Sequence, residues 1–480
     1  MKDYNVILIT VDCLRYDRCG FNGHDRNTTP FLDKLAANST VFDHAYASGP
    51  YTAESFPGIL AGQHGFNGAY YSKAVFNALS DDSATIASML ADRGYKTVAA
   101  VSNPQLTEER NFDIGFDDYD NLRTSRGSSE RSSDRDAGRV AEATTELKNL
   151  MREAARWESQ ELYRPLYISY RYRQSLSGWP TVHGEQIIKT LFDRISPALK
   201  RDEPIFAWTH LMDLHSPIHP DIGVDSGSKS IFTKLQRLNA DSARWTNIES
   251  RHYDRLYDAA LSYVDNQIAD MVRELRELDT WKKTVLIITG DHGEALCDRG
   301  VYGHPYHYMF DDLLHVPFLI RTPDQGGRRI NSLFSLAWLH ELIADALSTE
   351  RFKLPARSGH SSHLVPGMDS TIVVSDSLSD HGHTIAARTS KYKYIRHFGD
   401  HLYDQLPLLA RIVNPYNEGV GYRINSDRGE RHPLTVTNVP DDLLSVVTDN
   451  SSDVNEFQEV TGTISQQITQ QLRDLGYTKE

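Results

Sequence analysis

The sequence predicts an α/β fold: a large, mostly parallel sheet flanked by helices, followed by a small C-terminal antiparallel sheet with one helix. Three observations carry this reading. First, short apolar runs end abruptly in polar residues: 6–11 before Asp12, 97–101 before Ser102 and Asn103, 205–208 before Thr209 and His210, 285–289 before Gly290, Asp291 and His292, and 316–320 before Arg321. Short, nearly continuous apolar runs of this kind read as strands buried on both faces, the habit of parallel sheets. Second, helical stripes lie between them. In 253–278, Tyr257, Leu261, Val264, Ile268, Met271, Val272, Leu275 and Leu278 share one face; a shorter helix spans 85–94, with Gly94 as its C-cap. Third, the texture changes near Ser370 to short alternating strands at 372–374, 385–388 and 392–395, with a closing helix at 464–475. The division expected is therefore a catalytic domain over 1–369 and an α+β subdomain over 370–480.

Composition narrows the function. A chain of 480 residues, 39% hydrophobic and 24% charged, is an ordinary globular protein with room for a deep site. Its net charge of −14 argues against the broad cationic grip that nucleic acid requires. Cys13, Cys19 and Cys297 are too few and too scattered for a disulfide framework or a zinc knuckle, which fits a reducing compartment. The opening MKDYNVILITVD lacks the basic flank, length and cleavage site of a signal peptide, and no apolar stretch approaches the roughly 20 residues of a membrane helix. The expectation is a cytoplasmic protein with no membrane span. The segment 125–139, rich in Ser, Arg, Asp and Gly, reads as an exposed loop.

Ligands of open α/β sheets bind at the carboxyl ends of the strands, where loops from several elements converge. Asp12 on its own reads more readily as a helix cap than as a ligand. Asp291 and His292 after a second strand change that balance, because two carboxylates and an imidazole at adjacent strand ends are donors suited to a divalent cation.

The run 10-TVDCLRYDRCGFNGHDRNTTPFLDKLA-36, then 50-PYTAESFPGILAG-62, 208-WTHLMDLHSP-217 and 289-TGDHGEALCDRGVYGHPYHYMFDDLLHVP-317 resembles the sulfatase family of the alkaline phosphatase superfamily; 388-RTSKYKYIRHFGDHLYD-404 resembles its C-terminal subdomain. The resemblance implies an alkaline phosphatase-like sandwich. It implies Asp12 and Asp291 as metal ligands, with His292 in place of the Asn of calcium-binding sulfatases and Cys13 in place of a second Asp. Fewer oxygens and one nitrogen move the preference from calcium towards manganese or zinc, with calcium still possible and a second metal left open.

Thr52 aligns with the residue that sulfatases oxidise to formylglycine, and Phe56 replaces the Arg of that pattern. A threonine cannot yield the aldehyde, because its β-carbon carries a methyl group. The position instead resembles the threonine nucleophile and metal ligand of the superfamily's phosphodiesterases, with a helix starting at Glu54 or Ser55 to favour an anionic ester. By the same resemblance His215 contacts the ester's anionic group, with Asp213 and His210 orienting it, and His304 or His307 takes the place of a substrate-binding lysine. Asn103 serves either an ester oxygen or the turn before Pro104.

The function expected is metal-dependent hydrolysis of a small phosphate ester, a diester or phosphonate-like monoester, through Thr52. The alternatives are a sulfuric ester hydrolase without formylglycine, and a catalytically silent member that binds an anion or glycan.

Overall fold

In chain order the principal strands are β1 (Asn5–Val11), β2 (Thr40–Tyr46), β3 (Lys96–Val101), β4 (Asp118–Asn121), β5 (Ile205–Leu211), β6 (Thr284–Gly290), β7 (His315–Arg321) and β8 (Arg328–Ser335). In this computed structural model they form one eight-stranded sheet of order β8-β2-β7-β6-β1-β5-β3-β4. The structure describes residues 4–67, 69–71, 76–122, 160–177, 179–222, 230–242, 251–323, 325–348, 372–379, 382–400, 410–451 and 458–460, with single positions at 147, 150, 472 and 475. The 125–139 loop and the boundary at 369/370 fall outside these residues.

β1 is central and pairs in parallel with β5 and β6. Its apolar run has no polar alternation because both faces are covered. Ile7, Ile9 and Val11 join the core beneath the helices Gly184–Lys200 and Arg251–Glu277. Val6 and Leu8 face the other layer, with Phe56 and Ile59 of the helix Thr52–Ala61 and Leu342 of the helix Leu339–Ser348.

One strand departs from the parallel reading. β7 runs antiparallel to both its neighbours, β2 and β6. An apolar run buried on both faces carries no mark of direction, so the sequence pattern was blind to this. The reversal matters for the site: β6 ends and β7 begins at the same edge, and the connection between them, with its small hairpin of Ala295–Asp298 and Val301–Gly303, stays there as a roof.

The C-terminal sheet has the order Val373–Ser379, Gly382–Arg388, Lys393–Gly399, Val420–Tyr422, antiparallel throughout. The helix Asp441–Asp449, which the sequence reading did not separate, packs Leu443, Val446 and Val447 against it. The expected 464–475 helix lies outside the described residues apart from Leu472 and Leu475, which are buried beside Tyr51, Ala53 and Met212. Among the described residues no helix is long and apolar enough to cross a membrane.

Candidate active site

Five parallel strands deliver side chains to one point. Asp12 follows β1, its N–H bonded to the Leu211 carbonyl of β5 at 2.9 Å. Thr52 follows β2, Asn103 follows β3, His210 lies near the end of β5, and Asp291 and His292 follow β6. All six are buried, each with no more than 1% of its surface exposed.

Thr52 is the first residue of its helix, two or three residues earlier than expected. Tyr51 is the N-cap, and the next free N–H, that of Ala53, is taken by Gln105 Oε1 at 2.8 Å. Thr52 Oγ1 lies 3.4 Å from Asp12 Oδ2, 3.3 Å from His292 Nε2 and 3.4 Å from Asn103 Nδ2. These are long contacts, which hold the hydroxyl in place without burying it in one strong bond. Asn103 makes the turn expected of it: its Oδ1 accepts from Gln105 N at 2.8 Å, and this fixes Nδ2 on Asp12 Oδ2 at 3.1 Å and towards Thr52.

Asp12, Asp291 and His292 each present a donor atom within 4.8 Å of the others. His292 Nδ1 lies 2.7 Å from the Gly293 carbonyl, to which it donates, leaving the Nε2 lone pair facing Asp12 Oδ1 at 3.7 Å and Asp291 Oδ2 at 3.6 Å. A ring tied back through its other nitrogen is the arrangement of metal-binding histidines. Asp291 Oδ1 accepts from His292 N at 2.9 Å, whereas Oδ2 is buried with no hydrogen-bond partner. An orphaned, fully buried carboxylate oxygen is costly unless a cation meets it, so the residues fit a divalent ion.

The electrostatics agree. Burial alone would raise the Asp12 carboxyl; His215, the hydrogen bond from His210 and the nearby His292 together hold it well below the usual range. Burial and the proximity of Asp12 push Asp291 up. Burial opposes charge on His292, yet Asp291 and Asp12 raise its pKa overall. The pattern is that of negative charge crowded into a dry pocket with too few positive partners.

The remaining expected residues separate. His215 is 1% exposed, its ring 5.0 Å from that of His304, and the His304 ring is 4.8 Å from that of His292. His304 is thus the member of its pair that reaches the site. His307 takes a left-handed backbone (φ 61°), and its ring nitrogens meet Thr384 Oγ1 and Ser379 Oγ of the C-terminal sheet, each at 2.8 Å. Asp213 meets the start of a helix. Both its oxygens accept from Gly184 N, at 3.3 and 3.1 Å, so it anchors the first turn of the helix Gly184–Lys200.

Sequence reasoning gave too little weight to His210, whose Nε2 is 3.2 Å from Asp12 Oδ2 and whose Nδ1 is 3.0 Å from Thr10 Oγ1. It missed Glu294, fully buried, with Oε2 2.6 Å from His304 Nδ1. The run Asp291-His292-Gly293-Glu294 was the available signal. Gly293 is required by close packing: a β-carbon there would sit 2.1 Å from the Asp312 carbonyl oxygen.

An 810 Å³ polar cavity lies to one side, lined by Tyr16, Tyr46, His315, Arg388 and Arg428 among others. It does not contain Thr52, Asp12 or His292. The convergence of donors, not cavity size, therefore locates the candidate chemistry.

The chain resembles known proteins in sequence and in fold. Iduronate 2-sulfatase of Mus musculus is 24% identical over 342 residues, 66% of this chain and 59% of that protein, so the match spans about three fifths of the relative's length. Among solved structures, the phosphonate monoester hydrolase of Agrobacterium radiobacter aligns with a TM-score of 0.54 at 16% identity, covering 93% of this chain and 96% of that one. A protein of the alkaline phosphatase superfamily from Vibrio parahaemolyticus aligns with a TM-score of 0.55 at 14% identity, covering 94% and 86%. At such identities the structures speak for the fold alone, which is alkaline phosphatase-like. Residues 4–347 match the profile of the Sulfatase family, and with most of its length inside that match, the chain belongs to the Sulfatase family.

Proposed function

We propose that the chain is a metal-dependent hydrolase of a phosphate ester, a diester or phosphonate-like monoester, with Thr52 as nucleophile. The observation that carries the proposal is the setting of residue 52: a hydroxyl that cannot become formylglycine, at the first position of a buried helix, within 3.4 Å of Asp12, His292 and Asn103. Asp12, Thr52, Asp291 and His292 would hold one divalent ion, of the manganese or zinc class by their mixed oxygen and nitrogen donors. When bound, such an ion favours the ionised form of a coordinated hydroxyl and offsets the charge of the ester.

The chain's own residues supply the rest. Thr52 Oγ1, its proton released to solvent on ionisation, attacks phosphorus in line as the bond to the leaving oxygen breaks, and the positive end of the helix dipole, with Asn103 Nδ2 beside Thr52, offsets the charge on the phosphoryl oxygens. His215 protonates the departing alkoxide and then draws a proton from the water that releases Thr52, with His304 beside it facing the ester.

A second reading, hydrolysis of a sulfuric ester by the same site, is favoured by the sulfatase activity named for the mouse relative. Side-by-side assays of an aryl sulfate, a phosphomonoester, a phosphodiester and a phosphonate monoester, each with added manganese, zinc or calcium, separate the two. A phosphorylated Thr52 peptide trapped by acid quench is the expected result. Turnover of the sulfate alone would refute the phosphate reading.

A further inference from the structure

Beside the Asp12, Asp291 and His292 donors stands a second buried triangle. Cys13 Sγ is 3.3 Å from Glu294 Oε2 and 3.6 Å from His304 Nδ1, and Glu294 Oε2 is 2.6 Å from His304 Nδ1. Cys13 and Glu294 are fully buried and the His304 side chain is 6% exposed. From these positions we infer that Cys13, Glu294 and His304 form a second cation site, selective for a thiophilic divalent ion of the zinc class.

The spacing supports this directly. Tetrahedral zinc with sulfur at about 2.3 Å and nitrogen or oxygen at about 2.0 Å places its donors roughly 3.3–3.6 Å apart. Both sides of the triangle that meet at sulfur already have that length. The third is a hydrogen bond, which must open by about 0.7 Å to reach the same spacing. On binding, the Cys13 thiol proton leaves to solvent and the His304 proton moves from Nδ1 to Nε2, so one proton is released per ion. Three protein donors leave a fourth position open, the pattern of a reactive rather than a purely structural site.

His292 stands between the two clusters, since Cys13, His292 and His304 also present donor atoms within 4.8 Å of one another. His292 has a single nitrogen to offer, because Nδ1 is tied to the Gly293 carbonyl at 2.7 Å, and that nitrogen faces Asp12, Asp291 and Thr52. What links the sites is the Asp12 carboxylate: Oδ2 meets Thr52 and His210, and Oδ1 lies 3.0 Å from Cys13 Sγ. A shared carboxylate suits ions about 3.5–4 Å apart, the usual spacing of two-metal centres. Charge points the same way, since Asp12, Asp291 and Glu294 are all 0% exposed, and one ion among the first two leaves the third carboxylate beside a thiol. The cluster loop is held rigidly for the purpose. Tyr257 donates to the Cys13 carbonyl at 2.7 Å and accepts from Arg15 N at 3.2 Å. The Arg15 guanidinium in turn reaches the Glu294 main-chain oxygen at 2.8 Å.

The inference does not depend on which ester is cleaved. Its test is titration of the metal-depleted full-length protein with cobalt(II) and with zinc, read by elemental analysis after dialysis and by cobalt absorption. Wild type should retain two equivalents and show a thiolate-to-cobalt charge-transfer band. Cys13→Ser should lose the band and one equivalent, keeping the other. Asp291→Asn should lose the other equivalent and keep the band. His304→Gln should weaken the thiolate equivalent at least tenfold, and decides the matter if Cys13→Ser fails to fold by circular dichroism. One equivalent in wild type, an absent band, or a band that disappears with Asp291→Asn would overturn the proposal, the last making Cys13 a ligand of the Asp12 ion. Two equivalents with no esterase activity would sustain it while refuting the proposed function.

Discussion

Replacing Asp291 by Asn changes one charge in a fully buried position and almost no volume, and the structure predicts opposite effects with and without metal. Without metal, Asp291 Oδ2 has no partner, and burial and Asp12 both disfavour its charge. An amide there keeps the bond from His292 N through Oδ1 and places its N–H₂ towards His292 Nε2, now 3.6 Å from Oδ2. Removing the uncompensated charge should stabilise the metal-free protein by about 1–2 kcal/mol. With metal at about 100 times its dissociation constant, wild type gains about 2.7 kcal/mol. Loss of an anionic ligand weakens binding by roughly 100-fold or more, which reduces that gain to about 0.4 kcal/mol at the same concentration. At about 2 °C per kcal/mol for a chain of this size, added manganese or zinc should raise the wild-type melting temperature by about 5 °C and that of Asp291→Asn by about 1 °C. The metal-free variant should melt a few degrees above metal-free wild type. Differential scanning fluorimetry with and without chelator reads all four values. Equal metal-induced shifts in the two proteins, or a metal-free variant less stable than wild type, would refute the assignment of Asp291 as a ligand.

Three further outcomes follow. Thr52→Val should lower turnover of the best ester by roughly 10⁴-fold or more while Asp12, Asp291 and His292 still hold metal, and Thr52→Ser should retain measurable activity; a near-wild-type Thr52→Val would demote the hydroxyl to a structural role. Asp213→Ala should cost about 1 kcal/mol through the first turn of the helix Gly184–Lys200 with kcat little changed, and a large kcat loss with unchanged melting would restore a direct role for this carboxylate. His315, stacked between Tyr16 and Tyr46, is pushed down to about 4 from 6.5, by burial first and then by Arg388. The folded state therefore holds it neutral, so its contribution is intact above pH 6.5 and is lost as pH falls towards 4, on the order of 3 kcal/mol in all. His315→Gln should show a shallower loss of stability across that window in urea titrations, and an unchanged slope would contradict the shift.

What could be read from the sequence, and what could not, divides along physical lines. The strand ends bearing Asp12, Asn103 and Asp291 were legible because a run buried on both faces must stop where a polar residue appears. The direction of β7 was not, since buried runs look alike in either sense. Thr52 and His292 were found through a resemblance of motifs, and Cys13 was marked by the same comparison. His304 and His307, three residues apart, differ only in backbone: the left-handed φ of His307 turns its ring into the C-terminal sheet, and nothing in Gly303-His304-Pro305-Tyr306-His307 announces it. Asp213 stands at a motif position, yet in the fold its carboxylate bonds the start of a neighbouring helix, which the sequence does not announce. Glu294 stood in the run Asp291-His292-Gly293-Glu294, but its tie to His304 depends on the folded roof between β6 and β7.

That the site draws on five strands has a consequence for how the chain acquires it. Thr52 and His292 are 240 residues apart, Asp12 and His210 are 198 apart, and Asp12 and Asn103 are 91 apart. Of Asp12, Thr52, Asp291 and His292, only the neighbours Asp291 and His292 can meet a cation together in the unfolded chain, so metal at that site has almost no purchase before the parallel pairings around β1 have closed their long loops. A ligand that recognises only the finished arrangement cannot hasten the search for it. It acts on the way out: bound metal should leave the refolding rate nearly untouched and lengthen the lifetime of the folded chain, so its value to the protein is kinetic endurance rather than guidance.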